Sequence, residues 1–218
     1  MRIVYVLLIF LTFPFWSTGQ NNWYANFSPG VDFVPPMPLI INQSGYEKIS
    51  FWANYESVPL KAPVYYSYRI GFINEAKGWE AEMNHLKVYL KNKPEEIQRF
   101  SISHGYNLLF VNRVIHQKKY GSKVGFGIVL AHPENTIRNF SLDENEGILN
   151  WGYYVAGPAI QYGIFKEIAL NRTFFIIIES KVSLAYANIP VKNGRAHVPV
   201  LAFHLQLGPG IYFRKKGR

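Results

Sequence analysis

The stretch "VYYSYRIGFI", from Val64 to Ile73, alternates between two kinds of side chain. Tyr66, Tyr68 and Ile70 fall on one face of an extended chain, whereas Arg69 falls on the other, between a serine and a glycine. A period of two predicts a β-strand with one apolar and one polar face. The same alternation recurs in "KVGFGIVLA", "YYVAGPAIQYGI", "FFIIIESKVSLAY" and "LAFHLQLGPGIYF". The pattern therefore predicts a chain built almost entirely from strands.

The polarity of these strands is inverted relative to a soluble barrel, which keeps its bulky apolar side chains inside. Here the face opposite the bulky residues carries glycine, alanine and polar groups, which suit a crowded interior. A continuous apolar face suits contact with lipid. A sheet in lipid must also close, because every backbone group there has to be paired. We therefore predict an all-β fold, an antiparallel eight-stranded transmembrane β-barrel with a filled polar interior.

Eight segments of the chain carry the pattern, which is the smallest usual number of strands for such barrels. With both ends on the periplasmic side, the long connection 133–151 would face the cell exterior. An eight-stranded barrel is only wide enough to be filled by its own side chains. The segments are 48–57, 61–74, 78–90, 98–113, 122–132, 152–166, 172–186 and 196–213.

Composition narrows the classes of partner. The chain of 218 residues has no cysteine, which excludes disulfides and thiolate metal sites. Its formal net charge of +9 suits either nucleic acid or an anionic lipid surface. The N-terminal "MRIVYVLLIFLTFPFWSTGQ" resolves this choice, because one arginine, an apolar run and small residues are typical of a secretory signal. An exported chain is not expected to bind nucleic acid, so we predict outer-membrane lipid or lipopolysaccharide as the partner.

The predicted organisation has four parts. Residues 1–19 form a signal peptide, with a single transmembrane anchor as the alternative. Residues 20–47, rich in proline, asparagine and glycine, form an extended N-terminal leader. Residues 48–213 form the barrel, and residues 214–218 form a basic tail. The predicted location is the outer membrane, as a monomer or small homo-oligomer.

Charged residues on the predicted strands need partners inside the barrel, because an unpaired buried charge is costly. Arg69 and Glu82 lie nearly opposite each other across the turn "NEAKG". Lys87, Glu179 and Lys181 can complete a ladder of charges. Because the parity of the polar residues changes along "GWEAEMNHLKVYL", we also predict a bulge near Asn84 and His85. The predicted interior network comprises Arg69, Glu82, Lys87, Asn107, Glu179, Lys181, His204 and Gln206.

A second group of polar residues lies near the predicted extracellular rim. Folding the chain about Pro94 places His85 close to Ser103, Lys87 close to Ser101 and His104 beside Asn84, and His132 reaches the same side. A histidine near a serine, with an acid in reach, is the arrangement of nucleophilic ester hydrolysis. The catalytic candidates are therefore His85, Ser103, His104 and Glu82. The alternative is a hydrogen-bonded plug beneath the external loops.

Over about residues 48–213 the chain resembles the small eight-stranded outer-membrane barrels of Gram-negative bacteria, including the aromatic ending "GIYF". Two families with this architecture, a deacylase and a palmitoyltransferase, act on lipid A. The deacylase pattern His-x-Ser-Asn is not matched by "SISHGYN", so no catalytic residue is transferred. The expected function is an envelope-structural or surface-interaction role with a plugged interior; the alternative is a lipid-modifying enzyme. No cofactor and no metal are expected, since no spacing such as HExxH occurs.

Overall fold

The computed structural model describes residues 21–117, 119–143 and 145–214. The predicted signal peptide and almost all of the predicted basic tail lie outside these residues. Within them, no helix has the length and apolar character needed to cross a membrane. The described chain forms thirteen strands: β1 Asn21–Phe33, β2 Met37–Gln43, β3 Ile49–Ala53, β4 Tyr55–Glu56, β5 Tyr66–Asn74, β6 Lys77–Leu90, β7 Ile97–His116, β8 Gly121–Ala131, β9 Glu134–Ile137, β10 Phe140–Ser141, β11 Tyr154–Ala169, β12 Phe174–Val191 and β13 Gly194–Arg214.

Eight of the strands in this described part pair in a closed ring. The order is β1, β5, β6, β7, β8, β11, β12 and β13, and β13 pairs with β1 again. Every neighbouring pair is antiparallel. The predicted all-β, eight-stranded antiparallel architecture is confirmed. Arg69 is the register partner of Glu82, as the sequence predicted.

The first ring strand is not the predicted one. The segment predicted as a leader, 20–47, contains β1 and β2, and β1 closes the ring. The segment 48–57, predicted as the first strand, forms β3 and β4 outside the ring. The sequence pattern did not identify β1 because the side chains on its inward face differ in kind. Tyr24, Asn26 and Ser28 are all buried.

The two edges of the ring differ. At the first, which we call the short-turn edge, the connections are 75–76, 117–120 and 170–173. At the second, the extended edge, β2 pairs with β13, β4 with β6, and β9 with β7, so the sheet continues beyond the ring. The connection predicted to be long, 133–151, emerges at this edge and carries β9 and β10.

The outer face of the ring is apolar, and its side chains are exposed. Phe126 is 70 % exposed and Leu205 is 55 % exposed, although both are mid-strand residues. The predicted alternation of β5, β8, β12 and β13 is confirmed, because their glycine and polar positions are the buried ones. Close packing explains the small residues: a methyl group at Gly125 would overlap the Asn112 side chain.

The interior is built in three layers, which can be followed along β12. Nearest the short-turn edge, Phe175 and Ile177 are buried in an apolar cluster with Tyr24 and Phe165. The next inward positions of β12 are charged or polar. Beyond them the inward residues are apolar again and join a second, larger apolar cluster that extends to the extended edge. The inward residues of β12 are, in order, Phe175, Ile177, Glu179, Lys181, Ser183, Ala185, Ala187, Ile189 and Val191.

Candidate functional site

The charged layer is the set of ion pairs between the two apolar clusters. Its centre is Lys123, whose Nζ lies 3.0 Å from Glu80 Oε1, 2.8 Å from Glu82 Oε2 and 3.0 Å from Glu179 Oε2. All four side chains are at most 3 % exposed. A lysine this deep in a protein is tolerated only with close opposite charges.

Two further cations complete the charged layer. Arg69 Nη2 lies 3.1 Å from Glu179 Oε1, and its Nε lies 3.5 Å from Glu82 Oε1. Lys181 Nζ contacts Glu82 Oε1 closely and lies 3.9 Å from Glu179 Oε1. Among the described residues the layer therefore holds three cations and three carboxylates, so its formal charges cancel. Burying a charge-balanced set costs far less than burying one ion alone.

Neutral polar groups occupy the remaining hydrogen-bonding positions. Gln161 Nε2 donates to Glu82 Oε2 at 2.7 Å, and Asn112 Nδ2 donates to both Glu80 and Glu82. Tyr24 donates its hydroxyl to Glu80 at 2.7 Å. His204 links Ser183 to Tyr65, and Gln206 accepts from Arg69. Three of these bonds join strands that are not neighbours in the ring: Gln161 to Glu82, Tyr24 to Glu80 and Arg69 to Gln206.

Six of the eight residues predicted for the interior network lie in or against the charged layer: Arg69, Glu82, Glu179, Lys181, His204 and Gln206. Lys87 does not, because its Nζ donates to the carbonyl of Lys61 at 2.6 Å, away from the layer. Asn107 does not either, because it bonds His85.

The sequence reasoning missed Glu80, Lys123, Asn112 and Gln161. Glu80 has the same parity as Glu82, and Lys123 lies on the small, polar face of its strand. Parity could therefore have placed both residues in the interior.

A bulge in β7 shapes the second polar group. Leu86 pairs with Tyr106 and Val88 pairs with Ile102, so β7 has two more residues than β6 in this interval. The extra length contains Ser103, His104 and Gly105. The irregularity predicted near Asn84 and His85 therefore lies between Leu86 and Val88 of β6, and the extra residues are on β7 rather than on β6. Gly105 has φ +138°, a conformation that favours glycine, which explains why a glycine follows His104.

The bulge brings Ser103 and His104 to Glu134, the first residue of β9. Glu134 Oε1 accepts from Ser103 Oγ and contacts His104 Nδ1, while Ser103 Oγ and His104 Nδ1 are 3.5 Å apart. Glu134 Oε2 binds Arg99 and lies 3.3 Å from Ser101 Oγ. Burial alone would raise the pKa of Glu134. The hydrogen bonds from Ser103 and His104, together with the charge of Arg99, outweigh burial and hold that pKa below its ordinary value.

His132 and Tyr153 complete this group, which we call the rim cluster: Arg99, Ser103, His104, His132, Glu134 and Tyr153. The rings of His104 and His132 have centroids 5.0 Å apart. The backbone N–H of His132 donates to the carbonyl of Gly105 at 3.0 Å, and Tyr153 donates its hydroxyl to the carbonyl of His104 at 3.0 Å. Both bonds fix the bulge. One ligand atom from each of His104, His132 and Glu134 lies within 4.8 Å of the others.

The predicted combination of His85, Ser103 and Glu82 is not assembled. His85 is the register partner of Asn107, not of Ser103, and its Nδ1 lies 2.8 Å from Asn107 Oδ1. Glu82 belongs to the charged layer. Asn84 pairs with Leu108, so His104 does not lie beside Asn84. The extra residues in the bulge shifted the register that the sequence reasoning assumed. The acid that Ser103 and His104 contact is Glu134, from the connection predicted to be a loop.

A cavity of about 540 Å³ lies on the outer face of the wall next to the rim cluster. One side is the wall itself, where Met83, Leu109 and Leu130 point outward. The other side is the segment 148–153. His85, His104 and Asn107 supply its polar groups. The full lining is Pro63, Tyr66, Met83, His85, His104, Asn107, Leu109, Leu130, Ile148, Leu149, Trp151 and Tyr153.

Comparison with known proteins gives matches only among solved structures; no protein-family model and no curated protein matches the chain. The attachment invasion locus protein Ail of Yersinia pestis is 10% identical, with a TM-score of 0.42 over 90% of this chain and 100% of that chain. Neisserial surface protein A is 10% identical, with a TM-score of 0.38 over 89% and 98%. Outer membrane protease OmpT of Escherichia coli is 7% identical, with a TM-score of 0.41 over 92% and 99%. The eight-stranded antiparallel fold rests on the strand pairing described above.

Proposed function

We propose that the chain is an integral outer-membrane β-barrel protein with a plugged interior and an envelope-structural or surface-interaction role. The observation that carries this proposal is the closed ring with an apolar outer face around a charge-balanced interior. The outward residues of β13 from Phe203 to Phe213 span about 33 Å along the strand. With a strand tilt of about 40°, this corresponds to an apolar band about 25 Å tall, which matches a bilayer.

The proposed plugged interior favours a structural role over transport. Ion pairs and hydrogen bonds of the charged layer cross the ring, and an apolar cluster lies on each side of it. An ion moving along the axis would have to displace all three layers. At the extended edge the exposed cations Lys93, Lys192 and Arg195 are suited to the phosphates of lipopolysaccharide, the partner that we propose.

Fractionation and conductance test this proposal. The protein should be recovered with the outer membrane, keep its β-structure in detergent, and change its gel mobility on heating. Purified protein in planar bilayers should give no channel currents, measured beside a known open porin. Recovery of folded protein from the soluble periplasm would overturn the membrane assignment, and steady channel currents would overturn the plugged interior.

A second candidate function, lipid modification at the outer leaflet, is favoured by one observation. The rim cluster adjoins an apolar cavity on the lipid-facing wall, where an acyl chain of the outer leaflet could lie. Ser103 donates to Glu134, and the contact of His104 with the same carboxylate uses its Nδ1. For ester hydrolysis Ser103 would have to turn from the carboxylate towards a base.

Mass spectra of lipid A decide between the two candidates. Cells with the wild-type protein, cells with Ser103→Ala and cells without the protein are compared. A loss or gain of acyl chains that requires Ser103 supports the enzyme. Identical spectra from all three remove this candidate and leave the structural role. Ser101→Ala is the matched control, because Ser101 contacts Glu134 through its other oxygen.

A further inference from the structure

The rim cluster gathers metal-ligating side chains from three separate segments. His104 lies in the bulge of β7, His132 follows β8, and Glu134 begins β9. One ligand atom from each lies within 4.8 Å of the others. Ligands at about 2.0–2.1 Å from a tetrahedral zinc ion are about 3.4 Å from one another. The three atoms are therefore at most about 1.4 Å farther apart than ligands that share one ion.

A buried ring nitrogen of His132 is a second, independent indication of a metal site. The residue is 9 % exposed, and its Nδ1 has no hydrogen-bond partner among the described residues. Buried polar atoms in proteins nearly always have a partner, so a buried imidazole nitrogen without one calls for an explanation. His104 supplies the mobility that ion binding needs, because its side chain is 64 % exposed on a bulge.

The surroundings of Glu134 favour one oxygen as the ligand. Oε2 is held by Arg99 and Ser101, whereas Oε1 faces Ser103 and His104. Outer hydrogen bonds of this kind orient a ligating carboxylate. Arg99 also places a positive charge beside the position of the ion, and that charge opposes cation binding.

We propose that His104, His132 and Glu134 form a binding site for a divalent transition-metal ion, with zinc as the best-matched ion. Two imidazoles and one carboxylate are a common set for zinc with a fourth position left for water or another ligand. Magnesium and calcium prefer oxygen ligands and fit this set poorly. The site is independent of the structural role proposed above and does not require enzymatic activity.

Zinc titration of the full-length protein, folded in detergent and without a polyhistidine tag, tests the site. In competition with a chromophoric chelator, one zinc ion should bind per chain. His132→Ala and Glu134→Gln should each weaken binding at least about tenfold. His197→Ala is the control, since His197 is a partly exposed histidine that bonds Tyr186 on another part of the sheet. Heat-dependent gel mobility should show that each variant remains folded.

Two further measurements sharpen the test. Arg99→Gln should tighten zinc binding, because it removes the opposing charge and keeps a hydrogen-bonding side chain. Cobalt added in place of zinc should give the visible absorption of a tetrahedral ion, and His132→Ala should abolish it. Unchanged zinc affinity in His132→Ala, or an equal loss in His197→Ala, would overturn the proposal and indicate adventitious binding to surface histidines.

Discussion

Removing the charge of Lys123 should destabilise the protein strongly, and the structure shows which carboxylate is responsible. In Lys123→Met the side-chain volume is nearly kept, but the charged layer changes from neutral to a charge of −1. Glu82 and Glu179 each retain ion pairs to Arg69 and Lys181. Glu80 loses its ion pair to Lys123 and, among the described residues, has no other. One buried carboxylate is thus left uncompensated, at a cost of about 3–5 kcal/mol.

A second substitution tests whether charge is the cause. Glu80→Gln in the Lys123→Met background returns the layer to neutrality. The amide oxygen can still accept from Asn112, and the amide NH2 can donate to the Tyr24 hydroxyl oxygen. Most of the lost stability should therefore return, leaving a deficit of about 1–2 kcal/mol from altered hydrogen bonds. The control is Lys192→Met, an exposed lysine in the connection between β12 and β13, which should change stability by less than about 0.5 kcal/mol.

The assay is guanidinium unfolding of protein folded into lipid vesicles, followed by tryptophan fluorescence. The reasoning is refuted if Lys123→Met is as stable as the wild type, because Lys123 would then have water or another anion as its partner. It is also refuted if the double variant is less stable than the single one, since the charge balance would then not control the stability of the layer.

Three other changes have expected outcomes. Glu179→Leu should cost about 3–5 kcal/mol in the same assay, because it leaves a surplus cation in the charged layer; wild-type stability would place Glu179 in water. Phe126→Arg, on the outer face, should destabilise the protein in vesicles by about 2–4 kcal/mol, whereas Leu60→Arg in a connection should not; equal effects would contradict the bilayer contact. Gly105→Ala should cost about 1–3 kcal/mol, and more than Gly45→Ala. Both glycines have a positive φ, but only at Gly105 would the added methyl group overlap a side chain. Similar unfolding midpoints for the two variants would argue against the bulge geometry.

The alternation of strands predicted most of the ring because it is a local property. Phe126 and Leu205 are outward for the same reason that their neighbours are inward: a strand changes face at every residue. β1 was missed because its composition, with two prolines soon after it, is also typical of an irregular segment. The position of β1 in the ring is fixed by its pairing with β13, which is far away in the sequence. A local sequence pattern carries no information about such a pairing.

The candidate site was less predictable, because it depends on register. The bulge in β7 moves Ser103 away from His85 and towards Glu134, and a shift of this kind follows from three-dimensional packing. Gly105 marks the bulge, but a glycine within a strand is compatible with several local structures. The charged layer was partly predictable, since parity alone selects Glu82 and Glu179. The pairing of each cation with its carboxylate depends on the closed ring, so parity could not predict it.

The pairing of β1 with β13 has a consequence for assembly. Trp23 is the register partner of Phe213, and the ion pair between Glu82 and Lys181 joins residues 99 positions apart. Contacts so distant in sequence form slowly and late. A chain that had entered the bilayer before β13 paired with β1 would expose two unpaired strand edges to hydrocarbon, and the gap between them would open the charged layer to it as well. Insertion and ring closure are therefore expected to be coupled through the pairing of β13 with β1.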